Sequence, residues 1–289
     1  MSSPLKVQNW LADIERVFLD LDGTLYLGET PLKGALELVN GLRSQDIPIH
    51  FISNNTSNAR SQGIDKLKRL GFQPRPEEMY SALDSTMDYL EQHQIKNIAL
   101  LALPALEEEA RAAGIKLWQD TNSWDAEESN DTPDAVVLAF DKSFTWSKLR
   151  WGMRHIKNGA QFIATHPDTY CPTSGLYDPD IGCLIAAFQA AECPDPIVIG
   201  KPSDLFLKSF LIKNNQVASK CALIGDRIYT DMVLANKLNM RSILTLSGEA
   251  KQIDVDNLKQ TDDKIKIQNQ SIGQPQLVVN SVADLSNNL

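Results

Sequence analysis

Short apolar runs alternate with longer amphipathic segments along most of the chain. Runs rich in Val, Ile and Leu occupy residues 17–21, 47–52, 197–200, 222–225 and 242–246, and segments with helical spacing occupy residues 34–45, 58–70, 77–92, 203–214 and 230–238. A short apolar run is typical of a strand buried on both faces, and its alternation with helices is typical of parallel strands joined by crossover helices. The pattern predicts an α/β fold built on an open, doubly wound parallel sheet.

A second α/β stretch interrupts this alternation. It predicts strands at residues 98–101, 135–139 and 162–164 and helices at residues 105–113 and 145–157, with a polar loop at residues 120–132. The simplest arrangement is a second domain inserted at about residues 82–179, which leaves residues 1–81 and 180–289 for the first domain. Residues 251–274 are polar and predict loop-rich structure, followed by an edge strand at 276–279 and a short helix.

The composition narrows the partners and the compartment. The chain has 289 residues, 43% of them hydrophobic, which is enough for two buried cores. Its net charge of −9 disfavours a nucleic acid polymer or an anionic membrane as partner. No apolar leader or membrane-spanning run is present in the sequence, and the four cysteines form no C-x-x-C pair. We expect a soluble, cytoplasmic protein with reduced thiols.

Polar side chains follow four of the predicted strands, at the point where each strand ends. They are Asp20 and Asp22 after the first strand, Ser53, Asn54 and Asn55 after the second, Lys201 after the third, and Asp226 with Asp231 after the fourth. Because parallel strands meet at one carboxyl edge of a sheet, where such folds bind ligands, we expect these side chains to converge.

These residue types suit phosphoryl transfer. Asp20 and Asp22 lie two residues apart, so both carboxylates leave one face of an extended chain and need a hard cation such as Mg²⁺ to offset their repulsion. Asp226 and Asp231 can supply further carboxylates, and Lys201 can neutralise a phosphate. One of the paired aspartates would act as nucleophile and the other as acid and base, although residue types alone do not rank the two. Alone, an Asp-x-Asp-Gly stretch also suits a calcium loop or a turn, and Ser-Asn-Asn also suits a helix N-cap.

Four motifs carry a family resemblance. DLDGTLY, ISNNTS, GKPS and GDRIYTD resemble the four motifs of the haloacid dehalogenase superfamily, and the match runs in order over about residues 17–248. More narrowly, the chain resembles the branch with a C2-type cap, which contains p-nitrophenylphosphatases, pyridoxal phosphatases, phosphoglycolate phosphatases and NagD-type nucleotide phosphatases. The resemblance implies a Rossmann-like core with an inserted α/β cap.

The resemblance also implies a role for each motif residue. Asp20 is then the nucleophile and Asp22 the acid and base, while Lys201 fixes the nucleophile and the phosphate. Magnesium is held by the carboxylates of Asp20 and Asp226 and by the main-chain carbonyl of Asp22, with Asp231 in support, and phosphate is held by Ser53, Asn54 and Asn55.

The resemblance extends to the loop at residues 165–172, which closes over the leaving group in this branch. We therefore expect substrate contacts from His166 and Cys171, with His166 standing where asparagine or aspartate is common. LTLSGEA near Gly248 replaces the usual LTG turn of the branch, and we expect this difference not to affect catalysis.

The sequence thus predicts Mg²⁺-dependent hydrolysis of a small phosphomonoester through an aspartyl-phosphate intermediate. Sugar phosphates, nucleoside monophosphates, phosphoglycolate and pyridoxal phosphate are the candidate substrates. The alternative is a catalytically idle protein that binds a phosphorylated ligand, and a third hypothesis is a phosphotransferase or mutase. The resemblance leaves a homodimer through the cap open.

Overall fold

The computed structural model describes residues 6–57, 59–118, 132–173, 176–265 and 273–289, so the predicted loop at 120–132 lies outside the described residues except for its last position. The strands are β1 (Arg16–Asp20), β2 (Tyr26–Leu27), β3 (Thr30–Pro31), β4 (Ile49–Ser53), β5 (Met79–Ser81), β6 (Asn97–Leu101), β7 (Lys116–Leu117), β8 (Ala135–Leu138), β9 (Gln161–Ala164), β10 (Tyr170–Thr173), β11 (Leu176–Pro179), β12 (Ile197–Val198), β13 (Cys221–Gly225), β14 (Arg241–Thr245) and β15 (Leu277–Val279). The α-helices are α1 (Ala35–Ser44), α2 (Arg60–Arg69), α3 (Ala82–Gln92), α4 (Pro104–Ala112), α5 (Trp146–Lys157), α6 (Ile181–Ala190), α7 (Leu205–Lys213), α8 (Val233–Lys237), α9 (Gln252–Ile265) and α10 (Val282–Ser286).

The chain divides into two compact units. The first consists of Met1–Ser53, Gly63–Tyr80 and Leu211–Leu289, and the second of Asn54–Gln62 and Ser81–Phe210. Residues 180–210, which the sequence pattern assigns to the first domain, therefore lie in the second unit. The reason is burial, because Ile181, Ile185 and Phe188 of α6 pack in a core of that unit.

The first unit is built on a six-stranded sheet. The strand order is β15-β14-β13-β1-β4-β5, and the strands from β15 to β4 pair in parallel. Val17, Phe18 and Leu19 of β1 are fully buried, as a strand covered on both faces requires. β15 forms the edge predicted from the sequence. From β1 the chain adds β4 and β5 on one side, and later adds β13, β14 and β15 on the other side. The switch point of this doubly wound sheet therefore lies between β1 and β13.

The second unit has its own parallel sheet, in the order β12-β9-β8-β6-β7. Alternate residues of β6 face two different cores, with Ile98 and Leu100 in one and Ala99 and Leu101 in the other. The strand predicted at residues 197–200 belongs to this sheet and not to the first one, because β12 pairs with β9. An apolar run shows that a strand is buried but not which neighbour it pairs with.

Two further segments differ from the sequence pattern. Residues 79–81 form β5 where a helix is predicted from residue 77, and α3 begins only at Ala82, with the Ser81 hydroxyl accepting from the N–H of Asp84. Residues 252–265 form α9, whereas the sequence pattern predicts loop-rich structure there. The prediction is wrong because a polar composition does not by itself indicate a loop. In the part of the chain that the structure describes, no helix combines the length and the apolar character needed to cross a membrane.

Candidate active site

Two central strands of the first sheet each lead into an aspartate. β1 ends at Asp20, and β13 ends at Gly225, directly before Asp226. The two strands are parallel, with Leu19 opposite Ile224, so both aspartates leave the sheet at the same edge. This edge lies at the switch point between β1 and β13, where open α/β sheets bind their ligands.

The carboxylates of Asp20, Asp226 and Asp231 form a buried cluster. Each contributes an oxygen, and these oxygens all lie within 4.8 Å of one another. Within the described ranges, Oδ1 of Asp226 is buried without a hydrogen-bond partner. A buried carboxylate oxygen without a donor is costly, and a cation bound between the three carboxylates would compensate that cost. The all-oxygen donor set therefore fits a hard cation such as Mg²⁺.

The electrostatics of Asp226 also favour a bound cation. Burial raises the pKa of the Asp226 carboxyl far above its usual range, and the charges of Asp20 and Asp231 raise it further. Burial of Arg227 opposes its charge, but the carboxylates of Asp20 and Asp226 outweigh this effect and raise the pKa of the guanidinium. One half-buried arginine therefore faces several carboxylates, and an additional positive charge would stabilise them.

Two glycines leave the space that the Asp226 carboxylate occupies. A Cβ on Gly248 would lie 2.0 Å from Oδ2 of Asp226, and a Cβ on Gly23 would lie 2.3 Å from the same oxygen. The N–H of Glu249 donates to this oxygen at 2.7 Å. The turn at Gly248 thus shapes the position of a candidate metal ligand, which the sequence analysis does not anticipate. A glycine after a strand is too common to signal such a contact.

Asp231 is held beside the cluster by its own local structure. It lies in a π-helical turn, Ile228–Met232, a feature often found at functional sites. Its Oδ2 accepts from the N–H of Arg227 at 3.2 Å and lies 3.4 Å from the hydroxyl of Thr230. A Cβ on Gly225 would lie 2.4 Å from Cγ of Asp231, so only glycine permits this close approach.

Asp22 lies in the turn between β1 and β2. The turn is closed by the N–H of Gly23, which donates to the carbonyl of Tyr26 at 2.8 Å. Although Asp22 as a whole is exposed, the surrounding chain withholds water from its carboxyl and raises its pKa; the charge of Lys66 opposes this shift and that of Asp20 adds to it. An accessible carboxyl that holds a proton more readily than usual suits an acid and base.

The predicted phosphate-binding residues are divided between the units. Ser53 ends β4 in the first unit, whereas Asn54, Asn55 and Lys201 belong to the second. Oδ1 of Asn54 accepts from the N–H of Lys201 at 2.9 Å, and Nδ2 donates to the carbonyl of Lys201 at 2.9 Å. Oδ1 of Asn55 accepts from the N–H of Ser57 at 2.7 Å. Both side-chain amides thus have protein partners, so their main-chain N–H groups stay the predicted phosphate donors.

The two predicted substrate-contact residues differ in their surroundings. His166 is 1% exposed, and its ring nitrogens face Thr56 and Asp168 at 3.3 and 3.4 Å. Cys171 is half-buried on β10, opposite Asp178 of the β10–β11 hairpin. A substrate contact from either residue stays a prediction.

Known proteins resemble the chain over most of its length. Residues 17–116 match the family model of haloacid dehalogenase-like hydrolases, and residues 198–285 match a model of HAD-hydrolase-like proteins. Human glycerol-3-phosphate phosphatase is 30% identical over 302 residues, which cover 97% of this chain and 92% of the relative. Ribonucleotide monophosphatase NagD of Escherichia coli strain K12 is 26% identical, covering 85% of this chain and 92% of the relative. The crystal structure of 4-nitrophenylphosphatase from Thermotoga maritima matches with a TM-score of 0.81 and 28% identity, covering 98% of this chain and 99% of that one.

The chain therefore belongs to the haloacid dehalogenase superfamily of hydrolases. Within it, the relatives and the matching structure define the phosphatase branch with a C2-type cap, which confirms the resemblance drawn from the four motifs. The α/β fold with a Rossmann-like core and a cap is confirmed as well. The chain is a phosphatase that hydrolyses phosphomonoesters.

Proposed function

We propose that the chain hydrolyses small phosphomonoesters in a Mg²⁺-dependent reaction that passes through an aspartyl-phosphate on Asp20. The observation that carries this proposal is the buried cluster of Asp20, Asp226 and Asp231, with carboxylate oxygens within 4.8 Å of one another at the switch point of the sheet. A cluster of this charge at a ligand-binding edge is costly unless a cation and a substrate use it.

In the proposed site Asp20, Asp226 and Asp231 hold the metal, together with the main-chain carbonyl of Asp22. The unpartnered Oδ1 of Asp226 supports this ligand set. When bound, Mg²⁺ would neutralise negative charge on the transferring phosphoryl oxygens. Asp22 is left out of the carboxylate ligand set, which leaves its accessible carboxyl for proton transfer.

The chemical steps use two aspartates in turn. A carboxylate oxygen of Asp20 attacks phosphorus, the ester P–O bond breaks, and Asp22 donates its proton to the leaving alkoxide oxygen. Asp22 then removes a proton from a water molecule, which attacks the phosphorus of the aspartyl-phosphate. The acyl P–O bond breaks, inorganic phosphate leaves, and the carboxylate of Asp20 is restored.

Four residues are proposed to bind the phosphoryl group. Lys201 supplies a positive charge, the hydroxyl of Ser53 donates to a phosphoryl oxygen, and the main-chain N–H groups of Asn54 and Asn55 donate to the others. These residues stand in the second and third family motifs, and their roles rest on the resemblance.

The substrate class is proposed from the relatives. A glycerol-3-phosphate phosphatase and a ribonucleotide monophosphatase are both similar to this chain over most of its length. Their named substrates share a phosphate ester on a small polyol or sugar. We extend that class to this chain and keep phosphoglycolate and pyridoxal phosphate as separate candidate substrates. Cap-mediated dimerisation stays a prediction for light scattering to test.

The test is phosphate release from a panel of esters, with Mg²⁺ and with a chelator. The panel contains glycerol 3-phosphate, a sugar phosphate, a nucleoside monophosphate, phosphoglycolate, pyridoxal phosphate and p-nitrophenyl phosphate. We expect Mg²⁺-dependent release that is lost in Asp20→Asn, a near-isosteric change that removes the nucleophilic charge. Release that persists in the chelator, or at the wild-type rate in Asp20→Asn, would contradict the proposal.

A further inference from the structure

The side-chain amide of Asn54 is fixed by three hydrogen bonds. Two of them join it to the main chain of Lys201, with Oδ1 accepting from the N–H and Nδ2 donating to the carbonyl, both at 2.9 Å. The third is donated by Nδ2 to Oδ2 of Asp168 at 3.2 Å. Both protons of the amide are used, so its orientation is determined. The main chain of Lys201 is therefore held by a rigid planar group.

The chain is shaped to let Asn54 come this close. A Cβ on Gly200 would lie 2.8 Å from Oδ1 of Asn54 and 2.5 Å from the carbonyl oxygen of Thr165. Any larger residue would push the amide away from Lys201. The N–H of Gly200 donates to that same Thr165 carbonyl at 2.7 Å, which ties the loop after β9 to the segment that carries Lys201.

His166 lies beside Asp168. The hydroxyl of Thr56 accepts from the N–H of Phe140 at 3.1 Å and lies 3.3 Å from Nε2 of His166. Nδ1 lies 3.4 Å from Oδ2 of Asp168, the same oxygen that accepts from Asn54.

We propose that Asp168 is a positioning residue that orients the Asn54 amide and, through it, the main chain from which Lys201 presents its ammonium group. This inference rests on the role of Lys201 under the proposed function. The phosphoryl group that Lys201 would contact is common to every substrate. If Lys201 is misplaced, turnover of all esters should fall by the same factor. Loss of a contact to the leaving group would instead change the ranking of the esters.

The first measurement compares Asp168→Ala with Asp168→Asn on three esters that differ in their leaving group. We expect Asp168→Ala to lower kcat about 10- to 100-fold on all three with a smaller change in KM, because misplacement of a catalytic group by about 1 Å can cost 100-fold. Asp168→Asn retains an oxygen that accepts from Asn54, so we expect kcat within about threefold of wild type. A change in the ranking of the esters would overturn the inference.

The matched control removes a similar bond at a distance from Lys201. The carboxylate of Asp195 accepts from the side-chain amide of Gln189 at 2.6 Å on the exposed surface. Asp195→Ala should leave kcat and KM unchanged. A loss in this control equal to that in Asp168→Ala would show a general effect on the second unit and overturn the positioning role.

A double-mutant cycle with Lys201→Ala separates positioning from a structural role. Asp168→Ala should cause no further loss of kcat, or of inhibition by inorganic phosphate, once Lys201 is truncated. Equal losses in both backgrounds would overturn the inference and leave the role of Lys201 intact. Wild-type turnover in Lys201→Ala alone would instead overturn the role of Lys201 in the proposed function, and the inference with it.

Discussion

Gly248→Ala should weaken magnesium binding without introducing any new charge or left-handed backbone. The added Cβ would lie 2.0 Å from Oδ2 and 2.7 Å from Cβ of Asp226. Carbon and oxygen atoms need about 3.3 Å, so the Asp226 carboxylate must move by about 1 Å or more. That shift breaks the 2.7 Å hydrogen bond from the N–H of Glu249 and moves a proposed metal ligand.

The expected size of the effect follows from these contacts. A lost hydrogen bond to a charged group is worth about 1.5–3 kcal/mol. Disturbed support of a metal ligand typically weakens affinity about 10- to 100-fold, which corresponds to about 1.4–2.7 kcal/mol. The two energy ranges overlap, so we expect the dissociation constant for Mg²⁺ to rise about 10- to 100-fold.

Calorimetric titration of Mg²⁺ into metal-free protein measures the effect directly. Gly63→Ala is the matched control, because its Cβ would meet only the mobile Cε of Met79, at 3.1 Å, and should leave Mg²⁺ affinity unchanged. High Mg²⁺ concentration should restore most of the turnover of Gly248→Ala. Wild-type Mg²⁺ affinity in Gly248→Ala would refute the reasoning that this turn shapes the position of Asp226.

Three further predictions concern charge, pH and specificity. Asp226→Asn replaces a carboxyl whose charged form is disfavoured by burial and by the charges of Asp20 and Asp231. It should therefore stabilise the metal-free protein by on the order of 2 kcal/mol and abolish the rise in Tm that Mg²⁺ causes, both measured by calorimetry at pH 7. Burial, with the charge of Arg16, lowers the pKa of His50 from 6.5 to about 4. Between these pH values the unfolded state binds a proton at His50 that the folded state does not bind. As the pH falls from 6.5 to 4, the free energy of unfolding should therefore drop by up to about 3 kcal/mol more in the wild type than in His50→Gln, as measured by urea titration. A pH dependence identical in both proteins would contradict this assignment. Cys171→Ser should change the ranking of esters in the substrate panel more than the rate on p-nitrophenyl phosphate, and equal losses on every ester would contradict a substrate contact.

The central strands and their acidic ends could be predicted from the sequence. β1 and β13 are uninterrupted apolar runs, and Asp20 and Asp226 directly follow their buried residues, so the position of both aspartates at one sheet edge follows from parallel pairing alone. The same reasoning could not find the partner of β12, because an apolar run carries no information about which strand lies beside it.

Other features depend on contacts between residues far apart in the chain. Gly248 lies against Asp226, and the Asn54 amide bonds to the main chain of Lys201, 147 positions away. A glycine or an asparagine after a strand has many local uses, so neither signals these contacts. The sequence pattern does not predict α9 for a different reason. The polar composition of this helix leaves too few apolar positions to define a buried face.

The most direct test of the account is to trap the phosphorylated enzyme. Protein mixed with Mg²⁺ and a ³²P-labelled ester is quenched in acid, and the label that stays on the protein is counted before and after hydroxylamine treatment. The account predicts a hydroxylamine-labile label on the peptide that contains Asp20, and its absence from Asp20→Asn. Phosphate release without a protein-bound label on a substrate whose second step is slow, or a label of equal size in Asp20→Asn, would contradict a covalent intermediate on Asp20.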